Sequence, residues 1–140
     1  MATTAREFSY TISLDASGRV TAPDAAPLDL EETWTPEHLV LAGLARCTIE
    51  SLRYHVRRAG GELSATARAA GRVTRREEDG RYAFVALEAD LDVEIDPPPE
   101  DDAVRELMEK AEWDCFVGAS LRPSPVYRWR VNGREVASSG

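Results

Sequence analysis

The chain has 140 residues and a formal net charge of −8 at pH 7, with two cysteines and two histidines. This length is most simply one domain, residues 1–140, that buries a substantial core. The acidic balance argues against nucleic acid or an anionic membrane as a partner. No run approaches the roughly 18 apolar residues of a membrane span and the start lacks a signal-peptide pattern, so we expect a cytoplasmic protein.

The N-terminal segment predicts a hairpin. Residues 8–14 alternate apolar with polar side chains, which indicates a strand with one buried face. Residues 15–18 have the composition of a turn, and residues 19–21 begin the return strand.

The longest apolar run, residues 34–49, predicts a long central helix. Thr35 can cap it and Pro36 suits its first position, while Gly60 and Gly61 stop it after roughly 24 residues, or about 36 Å. Nearly all faces of its first half are apolar, so we expect other elements to pack around it.

A row of small side chains follows this helix, because Gly43, Cys47 and Ser51 recur at four-residue steps. Two interpretations are open. The row either lets another backbone approach or leaves room for a ligand beside the sulfur, or else Cys47 is a buried thiol packed as a small hydrophobe.

Two strands are predicted next, at residues 62–76 and 81–96, joined by a turn at residues 78–80. The second strand alternates strictly, with one apolar and one acidic face. We interpret the acidic row as a solvated strand face in preference to a metal or cationic-partner site.

A second helix follows the prolines at residues 97–99. Asp101 or Asp102 caps it, and its inward stripe runs to Cys115, with Gly118 near its end. A last strand, residues 126–131, closes at Asn132 and Gly133, and we expect the tail from residue 134 to be frayed. This order predicts an α+β fold with an antiparallel sheet.

The residue types and their spacing leave the two thiols as the candidate reactive groups. Two histidines and two distant cysteines offer no zinc spacing, and no glycine loop suits a phosphate. Cys47 lies in mid-helix, where apolar neighbours raise a thiol's pKa. A cation must therefore come from elsewhere, and an arginine held by a carboxylate suits this purpose.

The motifs around both cysteines resemble those of the OsmC/Ohr family, the osmotically inducible and organic hydroperoxide resistance proteins. The similarity extends from about Phe8 to Gly133. Its motifs are Thr35-Pro36-Glu37-x-Leu39, Ala42-x-x-Ala45-x-Cys47, Ala111-x-x-x-Cys115 with Ser120-Leu121, and Asn132-Gly133.

The resemblance implies an intertwined homodimer with active sites at the subunit interface. It also implies a metal-free peroxidase without a cofactor that reduces organic hydroperoxides. By position, Cys47 is the peroxidatic thiol and Cys115 the resolving thiol. Glu37 matches the carboxylate and Arg19 the arginine that it steadies. The family suggests an external dithiol, a dihydrolipoyl protein, as the reductant.

Two departures place the chain nearer the OsmC-like branches. Phe116 replaces the proline that typically follows the second cysteine, and the segment between Arg19 and Trp34 is short. Two rivals therefore stand beside the peroxidase. One is a non-catalytic dimer that binds an apolar ligand, and the other is a redox sensor whose oxidation changes partner binding. Aromatic side chains near the cysteines suit either a pocket for an organic tail or ordinary core packing.

Overall fold

The structure, a computed structural model, describes residues 5–136. They form two compact units, one up to Pro36 and the other from Glu37 onward. The elements are β1 (Ser13–Leu14), β2 (Arg19–Thr21), β3 (Leu28–Asp29), α1 (Pro36–Arg58), β4 (Glu62–Arg75), β5 (Tyr82–Asp96), α2 (Asp101–Trp113), α3 (Phe116–Ser120), β6 (Val126–Val131) and β7 (Arg134–Val136). The α+β class is confirmed, whereas the single-domain organisation stays a prediction.

The first unit contains a small antiparallel sheet in the order β1-β2-β3. The predicted turn is present, since Asp15 Oδ1 accepts hydrogen bonds from the amides of Ser17 and Arg19 at 2.9 and 3.0 Å. The predicted first strand is mostly wrong, because only its last two positions pair. Its apolar side chains are 51–80% exposed. Among the described residues 5–35, the only elements are three strands of two or three residues, so no second layer in this part of the chain buries that face.

Helix α1 confirms the predicted central helix. It is unbroken over 23 residues, from Pro36 to Arg58. A row at four-residue spacing is fully buried, namely Leu44, Thr48, Leu52 and Val56. The first turn is exposed, so within this chain the helix is not covered on all sides as the sequence predicted.

The second unit is built on a sheet in the order β4-β5-β6-β7. Strands β4 and β5 form a long antiparallel hairpin, in which the register shifts between Arg72 and Val73. Its turn is braced by an ion pair of 2.6 Å between Arg76 and Asp79. The predicted alternation of β5 is confirmed, because its inner side chains join the core and its acidic row faces outward.

One strand pair differs from the antiparallel arrangement that the sequence suggested. Strand β6 runs parallel to β5, from the pairing of Glu88 with Val126 to that of Val93 with Val131. Antiparallel neighbours can be joined by a tight turn, but parallel neighbours need a longer crossover. Here the crossover contains α2 and α3, so both short helices and the segment between them are fixed between two core strands.

A single apolar core joins these layers. It contains the buried row of α1, the inner faces of β5 and β6, the inward stripe of α2, and Cys115. Two side-chain hydrogen bonds add polar ties between α1 and the α2 region: Ser51 Oγ donates to Ala111 O at 2.8 Å, and His55 Nε2 lies 2.7 Å from Asp114 Oδ2. Among residues 5–136, no helix has the length and apolar content needed to cross a bilayer.

Asn132 and Gly133 form the tight turn between β6 and β7, with φ values of 49° and 80°. Residues 134–136 thus pair as a strand, where the sequence predicted a frayed tail; the rest of that tail lies outside the described residues. The Asn132 side chain also forms two hydrogen bonds with β5. Its Oδ1 accepts from Ile95 N at 2.9 Å, and its Nδ2 donates to Ile95 O at 3.3 Å.

The hydrogen bonds between Asn132 and Ile95 give a stability prediction. Asn132→Ala loses both side-chain hydrogen bonds and strains a positive φ, so it should lower the free energy of unfolding by about 2–3 kcal/mol. Asn132→Gly keeps the backbone freedom and should cost about 1 kcal/mol less. Urea unfolding of both variants measures the difference. Equal stability of the two variants would contradict a contribution from backbone strain at this position.

Candidate active site

Cys47 lies on α1 immediately before Thr48, which belongs to the buried row. This position leaves the thiol at the margin of the core, partly exposed rather than enclosed. Its sulfur accepts a hydrogen bond of 3.5 Å from the backbone amide of Val117 in α3. The first cysteine is therefore held against the short helix that follows the second.

Cys115 is fully buried, as the sequence predicted, but its setting differs from that prediction. Helix α2 ends at Trp113, and Cys115 is the N-cap of α3 rather than the last member of the α2 stripe. Its sulfur accepts from Gly118 N at 3.4 Å. It also lies 3.4 Å from Thr48 Oγ1, one residue after Cys47.

These contacts bring the two cysteines together as free thiols. Cys47 receives the Val117 amide, Cys115 receives the Gly118 amide, and Thr48 links α1 to the buried sulfur. The consecutive amides of Val117 and Gly118 donate to the two sulfurs, so the thiols lie close together, and the proximity of Cys115 helps to raise the pKa of Cys47. A pair of adjacent thiols, one accessible and one buried, is the arrangement that the local geometry offers for chemistry.

The environment of Cys47 favours the protonated thiol. Burial raises the pKa of Cys47 above its ordinary value, the amide of Val117 opposes this, and the neighbouring Cys115 raises the pKa further. Within the second unit, none of these influences is a cation. Because the thiolate is the nucleophile, an additional positive group is needed to activate this sulfur near neutral pH.

Glu37 is exposed in the first turn of α1, ten positions before Cys47. Because the helix is continuous, the two residues are separated by about 15 Å along its axis. A carboxylate at that distance cannot steady a group beside Cys47 of the same chain. Arg19 forms an ion pair of 3.0 Å with Asp29 of the same unit, and its pairing with Glu37 stays a prediction.

A buried tyrosine belongs to this cluster, and the sequence did not single it out. Tyr127 of β6 is 8% exposed, and its hydroxyl lies beside Gly118, as does the Cys115 sulfur. Burial, followed by the proximity of Cys115, raises the pKa of Tyr127 well above its usual range. Its hydroxyl therefore stays protonated and can donate a hydrogen bond.

The Tyr127 hydroxyl lies so close to position 118 that only glycine fits there. A methyl group at this position would lie 2.1 Å from the Tyr127 oxygen and 3.3 Å from the Cys115 sulfur. The sequence contained this clue in the glycine itself, three residues after the cysteine. Only the fold reveals which atom occupies the space that a side chain would need.

Several apolar side chains near the cysteine motifs are exposed to solvent. Trp113 is 85% exposed, Phe116 is 55% exposed, and Leu39 on the first turns of α1 is 41% exposed. Beside Gly43, one helical turn before Cys47, the space for a side chain is open. This surface next to the thiols can accept either an organic molecule or another protein chain.

The close contact of Gly118 with Tyr127 generates a double-mutant prediction. Gly118→Ala should lower the free energy of unfolding by about 1–3 kcal/mol, because the added methyl overlaps the hydroxyl. In a Tyr127→Phe background the cost should fall by at least half, since the nearest remaining ring carbon is 3.4 Å away. Denaturant unfolding of the wild type, both single variants and the double variant measures the coupling. Additive effects would show that the hydroxyl does not limit position 118.

Comparison with known proteins agrees with this architecture. A family model described as OsmC-like protein matches residues 29–130. An OsmC-like protein of unknown function from Vibrio cholerae aligns with a TM-score of 0.70 at 13% identity, covering 90% of this chain and 100% of its own.

Two further structures carry names that mention organic hydroperoxide resistance. OhrB of Bacillus subtilis aligns with a TM-score of 0.58 at 18% identity, covering 89% of this chain and 98% of its own. The protein OsmC from Legionella pneumophila aligns with a TM-score of 0.60 at 19% identity, covering 91% and 98%. No curated protein matches the sequence. The family model covers more than half of the chain, and the chain therefore belongs to the OsmC family.

Proposed function

We propose that the protein is a two-cysteine thiol peroxidase that reduces organic hydroperoxides. The observation that carries this proposal is the adjacency of a partly exposed thiol, Cys47, and a buried thiol, Cys115. A peroxidatic cysteine must be reached by substrate, whereas a resolving cysteine needs only to reach the oxidised sulfur. The names of the family's structural relatives support hydroperoxides as the substrate class.

The reaction begins with the Cys47 thiolate, which attacks the terminal oxygen of R–O–O–H. The O–O bond breaks, R–OH leaves after protonation, and Cys47 becomes a sulfenic acid. The Cys115 thiol then condenses with this sulfenic acid, releasing water and forming a disulfide. An external dithiol of the dihydrolipoyl class reduces the disulfide and returns both thiols. A reducing cytoplasm suits this cycle because it keeps such dithiols available.

Activation of Cys47 needs a cation, and we assign this role to Arg19 with Glu37 as its steadying carboxylate. A guanidinium beside the sulfur would offset the burial that raises the thiol pKa, and it would stabilise negative charge developing on the peroxide oxygens. The length of α1 separates Glu37 from Cys47 of the same chain. The assignment therefore requires that a second subunit supply these groups.

A homodimer satisfies this requirement. A two-fold axis places the same surface of both chains in contact, so Glu37 of one chain can lie beside Cys47 of the other. Exposed apolar side chains on the first turns of α1 and the open space beside Gly43 support a partner at this surface. The same contact would shelter the organic part of a hydroperoxide.

Cysteine substitutions test the assigned roles. Cys47→Ser should abolish turnover of cumene hydroperoxide with dihydrolipoamide, while changing the free energy of unfolding by about 1–3 kcal/mol at most. Cys115→Ser should permit one oxidation per chain and then accumulate sulfinic acid at Cys47. Steady-state assays, intact-mass spectra and thermal melts separate lost chemistry from lost folding.

The rivals give different results in the same assays. A ligand-binding dimer would show no oxidation of Cys47 at low hydroperoxide concentration. A sensor would form the disulfide once but would not turn over with the dithiol. A folded Cys47→Ser protein with wild-type activity would rule out the peroxidase mechanism.

Subunit mixing tests whether each site is built from two chains. Glu37→Gln and Cys47→Ser homodimers should both be inactive, but random mixing should recover about a quarter of wild-type activity, because half of the dimers carry one intact site. Glu50→Gln is the matched control, since Glu50 lies exposed on the same helix and pairs with Arg53; it should stay active. A monomer in solution, or no recovery from mixed dimers, contradicts the shared site.

A further inference from the structure

The two sulfurs of the proposed disulfide differ in access. Cys47 is partly exposed, whereas Cys115 has no exposed surface and is enclosed by Thr48, Gly118 and Tyr127. A dithiol that arrives from solvent can reach the first sulfur but not the second. Thiol–disulfide exchange depends on which sulfur is attacked and on how well the departing sulfur is stabilised.

We propose that reduction of the disulfide is directional: the external dithiol attacks Cys47, and Cys115 departs into its buried site, in which the Gly118 amide and the Tyr127 hydroxyl stabilise its negative charge. This inference rests on the proposed peroxidase cycle and adds a residue that promotes its reductive half. The Tyr127 hydroxyl and the Cys115 sulfur both lie beside Gly118, and in this step the hydroxyl donates to the departing sulfur, so its role is catalytic within that step.

The thiol–disulfide exchange conserves atoms and electrons. One thiolate of the dithiol forms a bond to Cys47 Sγ, the Cys47–Cys115 bond breaks, and its electron pair remains on Cys115. The second thiol of the reagent, once deprotonated, attacks the mixed disulfide and releases Cys47. Two electrons and two protons pass in total from the dithiol to the protein, which recovers two thiols.

The hydrogen bonds around Cys115 indicate which groups serve the departing thiolate. Thr48 Oγ1 donates its only hydrogen to Leu44 O at 2.8 Å, so it acts as an acceptor toward the protonated Cys115 thiol. A thiolate instead needs donors. The Gly118 amide already donates to the sulfur at 3.4 Å, and the Tyr127 hydroxyl, which lies beside Gly118, supplies the second donor to the thiolate.

Tyr127 acts here by hydrogen bonding and not by giving up its proton. Its raised pKa keeps the hydroxyl intact beside a thiolate, which is the weaker base of the two. The proton that finally neutralises Cys115 comes from the reagent thiols through solvent. Gly118 makes this contact possible, because any side chain there would occupy the place of the hydroxyl.

The test uses Tyr127→Phe in the full chain, with Tyr82→Phe as the matched control. Tyr82 is 70% exposed on β5 and has no part in the cluster. The disulfide is prepared with diamide, so the measurement does not depend on peroxidase activity. Reduction by dithiothreitol should be roughly tenfold slower in Tyr127→Phe and unchanged in Tyr82→Phe. Oxidation of Cys47 by one equivalent of hydroperoxide should keep its wild-type rate.

A trapping experiment tests the direction of opening. Brief treatment of the disulfide form with 2-mercaptoethanol, followed by iodoacetamide in denaturant and peptide mass spectrometry, should place the adduct on Cys47 and the alkyl group on Cys115. The reverse labelling, or equal labelling of both sulfurs, overturns the inference. So does an unchanged reduction rate in a Tyr127→Phe protein that melts like the wild type.

The two proposals can fail separately. A protein that forms and opens the disulfide as described, but consumes no hydroperoxide, would refute the peroxidase function and leave the directional opening intact. Failure of diamide to produce an intrachain disulfide would overturn the inference itself. If Tyr127→Phe slows both half-reactions equally, the hydroxyl has a general structural role, which also contradicts the assignment.

Discussion

The structure of the second unit depends on the burial of one row of side chains along α1. Leu44, Thr48, Leu52 and Val56 are fully buried, and each apolar member contributes about 1.5–3 kcal/mol by leaving water. Thr48 is the exception in this row. Its hydroxyl is satisfied by the helix carbonyl of Leu44 and meets the sulfur of Cys115, so its polarity is accommodated without an unpaired group. The helix is thus fixed in rotation, and Cys47 is held at the edge of the core.

The rotational setting of α1 explains why Cys47 is partly exposed while Cys115 is buried. A cysteine one position away from the buried row is turned by about 100° from it and retains contact with solvent. The second cysteine, on the segment between α2 and α3, closes over the same row and has no exposed surface. The surroundings of Cys47 do not stabilise its thiolate by themselves, because burial raises the pKa of this cysteine. The fold of one chain therefore positions the sulfurs, and their activation requires a further group.

The sequence predicted those elements that are governed by local chemistry. Pro36 and the glycines after Arg58 delimit α1, the alternation within β5 identifies its buried face, and Asn132 with Gly133 identifies a tight turn. The end of α2 was missed for a definite reason. Cys115 follows Ala111 by four residues and points inward whether or not the helix continues, so periodicity could not distinguish the two cases.

The remaining features of the candidate site depend on contacts between distant parts of the chain. Alternation places the Tyr127 ring in the core, but its hydroxyl comes to lie beside Gly118 and Cys115 only after β6 and α3 have packed together. The parallel pairing of β5 with β6 likewise has no local signature. In the N-terminal segment, alternation predicted a buried face, but a three-stranded sheet of very short strands cannot bury it within its own unit.

The parallel crossover also governs where the chain can change its length. The segment between β5 and β6 must span a fixed distance between two paired strands, and it carries Cys115 on the way. An inserted or deleted residue between α2 and β6 would displace the buried sulfur from Thr48. The length of the exposed turn at the end of the β4–β5 hairpin is not constrained in this way. Variation in length among related chains should accumulate at that turn, while the crossover keeps a constant number of residues.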